Sequence, residues 1–230
     1  MSWRDFWNGD HAIYVNMRHM ALHYKRIADD IVVLLPSRDA VVLDHGSGEA
    51  LSADRIAAHC RQLILCDSAP NVRARIVARA VNEPKISAIA PEDVAMLADD
   101  SLDLVVANSL LQYLSRDELK TTLALWQAKL KPGGTLVVAD ILPPDLSPLT
   151  DAKELLSFAF KGGFFFAALI GLVRTALSDY RRIRATLGLS SYTQADITAL
   201  LTEASFTDVT KRTNLGHNPH RMCFAARAAG

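Results

Sequence analysis

The stretch Val41-Val42-Leu43-Asp44-His45-Gly46-Ser47-Gly48-Glu49-Ala50 decides the fold. Three apolar residues run into an acid, two glycines follow in a Gly-x-Gly spacing, and an alanine-rich helical pattern begins at Ala50. This order predicts a strand, a tight turn and the start of a helix. Glycines suit such a turn because the backbone bends sharply and a ligand approaches it closely. The first turn of the helix offers free N–H groups to that ligand.

The residues around this turn argue against two common ligands and favour a third kind. A dinucleotide-binding turn has a third glycine at position 51, where this chain has Leu51. The Gly-Lys-Ser/Thr of a nucleoside-triphosphate loop is absent. Asp44, placed before the glycines, suits a ligand with a cationic group. Asp67 closes the next apolar run, where a carboxylate can hold both hydroxyls of a ribose.

With these residues the chain resembles the class I S-adenosylmethionine-dependent methyltransferases. Asp44-x-Gly46-x-Gly48 matches the first motif of that family, and Asp67 matches the second. Residues 99–108 resemble the acidic segment that leads into strand four of that family. Leu-Lys-Pro-Gly-Gly at 130–134 resembles the turn that leads into its strand five. The resemblance covers residues 37–140 and 192–228. The alternative is a structural strand-to-helix turn in some other α/β protein.

The resemblance implies an α/β fold with a doubly wound, seven-stranded, mainly parallel sheet that ends in an antiparallel C-terminal hairpin. A helical N-terminal cap (1–36) would precede the sheet, and a helical insert (141–190) would follow strand five. The length of 230 residues and the 50% hydrophobic content fit one methyltransferase domain, 1–230. Strand six is expected to run parallel to the first five, which places the loop after it on the ligand side.

Local patterns predict several helices. Helical spacing from Tyr14 to Leu35 predicts two helices before the first strand, and Asn71 is expected to cap a helix over 72–81. Ser115, with Glu118 three residues later, forms the pattern of a capping box.

The resemblance also implies the cofactor, S-adenosylmethionine, and its contacts. In the family a residue before the first strand meets the carboxylate of the cofactor, and Tyr14 and Arg18 are the residues expected here. Pro91 stands where many members have an acid for the adenine amino group, so Glu92, Asp93 or backbone groups would make that contact. The predicted cofactor-binding residues are Tyr14, Arg18, Asp44, Gly46, Ser47, Gly48, Asp67, Ser68, Glu92, Asp93 and Asn108.

The candidates for acid–base catalysis follow strands four and six. Open α/β sheets bind ligands at the carboxyl ends of their strands, so Tyr113 and His217 are expected beside the acceptor. A general base is needed only for a poorly acidic hydroxyl or a charged amine. His217 and Tyr113 are the first choices, with Tyr24 and His19 also available and a solvated loop histidine as the alternative for His217. Because His19 and His23 lack a third ligand and no carboxylate cluster suggests magnesium, no metal is predicted.

The insert is expected to decide the acceptor. Its phenylalanine-rich stretch, 155–177, has 12 uncharged residues between Lys161 and Arg174. A membrane-spanning helix needs about 20. The preferred interpretation is a lid over a hydrophobic pocket. The others are a self-association face that forms a homodimer and a peripheral membrane contact, in which basic residues meet anionic head groups. Those basic residues are Arg174, Arg181, Arg182 and Arg184.

Composition narrows the function further. Lys+Arg and Asp+Glu both number 25, so the zero net charge indicates no nucleic-acid partner. Three cysteines without metal or disulfide spacing and a polar N-terminus predict a cytoplasmic protein. The predicted function is methyl transfer to a small, hydrophobic acceptor at an oxygen, nitrogen or carbon atom. The alternative is a non-catalytic cofactor-binding protein that dimerises or binds a membrane surface through 155–177. A protein or RNA methyltransferase is disfavoured because Asn108-Ser109-Leu110-Leu111 replaces the Asn/Asp-Pro-Pro-Tyr type of motif.

Overall fold

The computed structural model describes Trp3, Trp7, residues 14–176 and residues 188–230, and in this part of the chain seven strands form one sheet. The order across the sheet is β3-β2-β1-β4-β5-β7-β6. Strands β1 to β5 are parallel, and β7 pairs antiparallel with both β5 and β6. The strands are β1 (Val41–His45), β2 (Gln62–Cys66), β3 (Ile86–Ile89), β4 (Leu102–Asn108), β5 (Leu130–Ile141), β6 (Phe206–Arg212) and β7 (Met222–Ala228). The predicted doubly wound sheet with an antiparallel C-terminal hairpin is confirmed.

Helices alternate with the strands and cover both faces of the sheet. They are α1 (Met17–Leu34), α2 (Ala53–Ala57), α3 (Pro70–Arg79), α4 (Arg116–Lys129), α5 (Pro148–Gly162), α6 (Phe165–Ala176) and α7 (Gln194–Glu203). Short 3-10 helices span Pro91–Met96 and Leu111–Tyr113. The predicted capping box at the start of α4 is present, because the Ser115 hydroxyl accepts the Glu118 N–H and the Glu118 carboxylate accepts the Ser115 N–H.

Two local predictions are wrong. The segment before β1 forms the single helix α1 from residue 17 onward, where two helices were expected. Helix α3 begins at Pro70, because proline fits the first helical position, where its missing N–H costs nothing. Ala69 is therefore the N-cap and Asn71 lies inside the helix.

Alternating side chains of the strands feed two apolar cores, one on each face of the sheet. Leu43 of β1 packs into the core that contains Trp126 of α4 and Phe224 of β7. Its neighbour Val42 points the other way, into the core that contains Ile31 of α1. This period-two alternation explains why β1 is buried along its whole length.

The insert after β5 packs on α1 through a third, smaller core. Phe164 and Ala159 are buried there, and Leu22 of α1 packs against them. Helix α6 approaches the chain before α1 so closely that a Cβ on Gly171 would lie 2.2 Å from a methyl carbon of Val15. The predicted cap and insert are thus joined to each other at the ligand side of the sheet.

The opposite side of α6 is apolar and exposed. Phe166, Leu169, Ile170 and Val173 recur at the spacing of one helix face, and each is 46–78% exposed. In the described part of the chain, no helix is both long and apolar enough to cross a membrane. The remainder of the insert, residues 177–187 with Arg181, Arg182 and Arg184, lies outside the described residues.

The topology brings the carboxyl ends of β1, β2, β4 and β5 to one edge of the sheet. Strand β6 runs in the same direction as β5 because both pair antiparallel with β7, so the expected direction of strand six is confirmed. The β6–β7 loop therefore opens at that same edge. The order of the strands reverses between β1 and β4, the position at which doubly wound sheets bind ligands.

Candidate functional site

A cavity of about 790 Å³ opens at this edge of the sheet. Its walls come from the carboxyl ends of β1, β2, β4 and β5, from α1, from the β6–β7 loop and from the first turns of α5. Segments distant in sequence thus meet around one space. Its volume suits a ligand of drug size or larger.

The glycine turn forms the floor of the cavity. Gly46 and Gly48 have φ values of +84° and +56°, a region that residues with a Cβ seldom adopt. The Cys66 carbonyl of β2 accepts the N–H groups of Gly46 at 2.7 Å and Ser47 at 3.0 Å. A Cβ on Gly48 would lie 2.5 Å from the hydroxyl oxygen of Tyr24 on α1. The turn is therefore locked to β2 on one side and covered by α1 on the other.

Tyr24 seals α1 onto this turn. Its hydroxyl accepts the Glu49 N–H at 2.8 Å and lies 3.2 Å from the Tyr14 hydroxyl. Burial is the largest cause that raises the pKa of Tyr24, to about 12, and burial also raises the pKa of Tyr14. Both hydroxyls are therefore neutral hydrogen-bonding groups at pH 7.

The Asp67 carboxylate is held at the end of β2 by backbone groups. One oxygen accepts the Gly48 N–H at 2.9 Å and the other accepts the Ala69 N–H at 2.8 Å. Burial raises the pKa of this carboxyl although both hydrogen bonds and Arg73 favour the charged form. Each oxygen keeps a further lone pair that can accept a hydrogen bond from a ligand hydroxyl.

Asp44 lies at the end of β1, fully buried below the turn. Burial, and second the charge of Asp67, raise the pKa of Asp44 to about 7. The carboxyls of Asp44 and Asp67 thus line the same cavity, and the charged form of Asp44 is disfavoured there. A cation in the cavity would stabilise that charged form.

Asn108 presents an unpaired acceptor at the end of β4. Its Oδ1 atom is buried and has no hydrogen-bond partner among the described residues, while its Nδ2 lies 3.4 Å from the Ser109 hydroxyl. Buried polar atoms are nearly always paired in folded proteins. This oxygen could therefore accept a hydrogen bond from a ligand in the cavity.

Residues 43–138 match a family model described as a methyltransferase domain. No curated protein matches the chain by sequence. Solved structures with the same fold include magnesium protoporphyrin IX methyltransferase from Synechocystis PCC 6803 with bound SAH (16% identity, 99% of this chain and 93% of that chain, TM-score 0.60). They also include N-methyltransferase NodS from Bradyrhizobium japonicum WM9 (19%, 90% and 97%, TM-score 0.55) and the CurJ carbon methyltransferase (18%, 94% and 56%, TM-score 0.58).

The matched segment contains the glycine turn, Asp67 and Asn108, on the sheet order described above. Residues 43–138 thus resemble a methyltransferase domain, and the chain as a whole has the α/β fold of the solved methyltransferases. The names of these structural relatives give different methylated atoms or compounds. The likeness therefore establishes the fold, and the methyl acceptor has to be inferred from the residues of this chain.

The methyltransferase fold brings most of the predicted cofactor residues to the cavity. Those that line it are Tyr14, Asp44, Gly46, Ser47, Gly48, Asp67, Ser68 and Asn108. They meet because Tyr14 lies just before α1 and each of the others lies within three residues of the carboxyl end of a parallel strand.

Three predicted cofactor residues do not line the cavity. Arg18 donates from Nε to the Gly162 carbonyl at 2.5 Å, which ties α1 to the end of α5. Asp93 accepts the Ala90 N–H at 3.0 Å and caps the 3-10 helix, and Glu92 is exposed to solvent. Pro91 lines the cavity, whereas its acidic neighbours Glu92 and Asp93 do not.

Both predicted catalytic residues line the cavity. The Tyr113 ring meets those of Trp3 and Trp7 edge-on, with centroids 4.9 and 5.6 Å away. His217 stacks on Phe158 of the insert at a centroid distance of 4.8 Å. Burial lowers the pKa of His217 and Asp140 opposes that shift, so the imidazole is neutral at pH 7.

Two more histidines line the same wall. His19 and His23, on α1, have ring centroids 6.4 Å apart, and His23 lies 6.3 Å from His217. Burial lowers the pKa of His19 to about 4 and of His23 to about 3. The Nδ1 atom of His19 accepts the Val15 N–H at 3.3 Å, which leaves its proton on Nε2.

Sequence reasoning missed a polar network at the β5 side of the cavity. Its members are Ser109, Gln112, Asp140, Asp151 and Arg221, all of which line the cavity. Asp140 could have been found, because it lies at the end of β5 just as Asn108 lies at the end of β4. Arg221 and Asp151 come from the start of β7 and from α5, and nothing in the sequence signals that they meet.

Proposed function

We propose that this methyltransferase transfers the methyl group of S-adenosylmethionine to a small, largely apolar acceptor. The observation that carries the proposal is the aromatic and aliphatic part of the cavity wall, to which Trp3, Trp7, Tyr113 and Leu155 contribute. Such a wall suits an apolar ring or chain better than a sugar or a nucleotide.

We propose that the glycine turn, Asp67 and Asp44 hold the cofactor. The Asp67 carboxylate is oriented by two backbone N–H groups and would accept the ribose hydroxyls. Asp44 would face a cationic part of the cofactor, and Asn108 Oδ1 would accept one of its donors. Tyr24 on α1 and Tyr14 just before it would close the site. When bound, the cofactor supplies an electrophilic methyl group on a sulfonium.

On the acceptor side, we propose that His217 receives the proton that the acceptor loses and that Tyr113 positions the acceptor. The His217 imidazole is neutral at pH 7 and borders the same cavity as Tyr113. The insert acts as a lid, because Leu155 lines the cavity and Phe158 fixes the His217 ring by stacking. Alignment of the two reactants then supplies much of the rate.

Calorimetric titration with S-adenosylmethionine and S-adenosylhomocysteine tests the proposed residues. Wild type is expected to bind both, and Asp67→Ala to bind at least about 30-fold more weakly, since hydrogen bonds to a charged group are lost. Asp54→Ala, which removes an exposed carboxylate from α2, is the matched control. Equal affinities of wild type and Asp67→Ala would refute the assignment of Asp67.

We further propose that the outer face of α6 rests on an anionic membrane surface, from which an apolar acceptor could enter. The face formed by Phe166, Leu169, Ile170 and Val173 is apolar and exposed. Residues 161–184 contain five basic residues and one acidic residue in a chain of zero net charge. An apolar helix face combined with local positive charge is typical of helices that lie in a membrane interface. A homodimer through the same face is the competing arrangement.

A further inference from the structure

Two residues at the β5 side of the cavity have an uncommon backbone conformation. Ser109, just after β4, has φ +57°, and Asp140, at the end of β5, has φ +55°. Neither is glycine, and non-glycine residues in this region are uncommon and cost free energy. The two strands are neighbours in the sheet, so both strained residues stand side by side at the ligand edge.

Hydrogen bonds hold this pair in place. The Ser109 N–H donates to the Ala139 carbonyl at 3.0 Å, and the Ser109 hydroxyl donates to Asp140 Oδ2 at 2.6 Å. The Asp140 N–H donates to the side-chain oxygen of Asn214 at 2.8 Å. Backbone and side chain of Asp140 are therefore fixed by separate partners, which orients its carboxylate at the cavity wall.

One oxygen of that carboxylate is left for a ligand. Oδ2 accepts from Ser109 and from Arg221 Nη1 at 3.3 Å, whereas Oδ1 accepts no hydrogen bond from any described residue. Arg221 is shared, because it also donates to Asp151 at 2.9 Å and to Gln112 at 3.2 Å. The single guanidinium of Arg221 thus faces the carboxylates of Asp140 and Asp151. These three groups together leave one net negative charge at the cavity wall.

We propose that Asp140 Oδ1 binds an N–H or O–H group of the acceptor, so that the acceptor is an apolar molecule with an amine or hydroxyl at one end. This inference rests on the proposed function and specifies its substrate class. Ser109 and Arg221 are positioning residues that orient the carboxylate and keep its other oxygen occupied. The aromatic wall takes the apolar body of the acceptor, and His217, which the charge of Asp140 influences, borders the same end.

The test compares 2-naphthol with naphthalene, which share a ring system and differ in one hydroxyl. Their affinities are measured by NMR titration of the full chain saturated with S-adenosylhomocysteine. Wild type is expected to bind 2-naphthol at least about tenfold more tightly, because a carboxylate accepts its hydroxyl. Asp140→Asn is expected to reduce that preference at least about fivefold. Asparagine is chosen because it tolerates the positive φ of this position.

Two further variants control the test. Asp208→Asn changes an exposed aspartate on β6 that also has a positive φ, +51°, and is expected to keep the preference of wild type. Ser109→Gly keeps the backbone conformation but removes the hydroxyl that orients Asp140, and is expected to weaken the preference about threefold. Loss of the preference in Ser109→Gly supports the inference even if Asp140→Asn folds poorly.

The outcomes separate this inference from the proposed function. Equal affinities for the two probes, binding of neither probe, or an unchanged preference in Asp140→Asn and Ser109→Gly would overturn the inference. In each of these cases, retained binding of S-adenosylhomocysteine leaves the cofactor site intact. Absence of S-adenosylhomocysteine binding to folded wild type would instead overturn the proposed cofactor site itself.

Discussion

At the scale of single residues, the site places the carboxyls of Asp44 and Asp67 where burial disfavours their charged forms. Asp44 is buried at the end of β1, and its pKa is raised to about 7 by burial and by Asp67. A buried charge without a nearby cation costs stability, and such costs concentrate at functional sites. We therefore expect Asp44 to destabilise the free protein and to favour binding of a cationic cofactor.

The variant Asp44→Asn tests whether Asp44 lowers the stability of the free protein and favours cofactor binding. The folded-state pKa is above the ordinary value of 3.8, so the carboxyl contributes stability below pH 3.8 that is lost as the pH rises through 7. Asparagine never ionises, so the variant should unfold at a higher denaturant concentration than wild type at pH 8. At pH 8 the gain in the free energy of unfolding should be no more than about 4 kcal/mol. At pH 5 the gain should be smaller. Cofactor affinity should fall at least about tenfold. A gain independent of pH would contradict this account.

At the scale of elements, α1 and the insert pack against each other beside the cavity. Arg18 of α1 bonds the end of α5, Phe164 packs against Leu22, and Tyr24 covers the glycine turn. The inner side of the insert is thus buried against α1. Its outer side, on α6, is exposed and apolar, so it is the part available to another surface.

Vesicle sedimentation tests the role of the outer face of α6. We expect wild type to bind vesicles of phosphatidylcholine with 30% phosphatidylglycerol at least about tenfold more tightly than phosphatidylcholine alone, because anionic lipid attracts the basic segment. Phe166→Asp should weaken binding about tenfold, since it places a charge in the apolar face. Met96→Asp, at an exposed methionine after β3, should have no effect. A wild-type dimer that Phe166→Asp converts to a monomer would show that a second copy covers the face instead.

At the scale of the whole molecule, the site depends on the complete fold. Its walls come from four strand ends, α1, the insert and the β6–β7 loop, so unfolding of the sheet removes every contact together. A ligand that binds only the folded state therefore stabilises the entire domain by mass action.

Thermal denaturation measures this coupling. At an S-adenosylhomocysteine concentration 100 times its dissociation constant, the stabilisation is about 2.7 kcal/mol. For a chain of this length that corresponds to a rise in Tm of about 5–10 °C. With at least about 30-fold weaker binding, Asp67→Ala should show no more than about a third of that rise at the same concentration, whereas Asp54→Ala should match wild type. An equal rise in Asp67→Ala would place the ligand elsewhere.

The sequence alone determined the sheet, the glycine turn and the residues that border the cavity at the ends of β1, β2 and β4. Gly46, Gly48, Asp67 and Asn108 were predictable because each lies within three residues of the end of an apolar strand. Parallel strands bring those ends to one edge, so local position along the chain fixes position in space. The same rule would have identified Asp140.

Only the tertiary structure decided which side chains of the helices and loops reach the cavity. Arg18 carries the charge expected for a cofactor carboxylate, yet helix packing turns it to Gly162, and Asp93 is used in a local cap. Arg221 and Asp151 meet across 70 residues of chain, and no periodic pattern signals such a contact. Side chains on helices and loops take their place from the packing of whole elements, which the sequence specifies only through the complete fold.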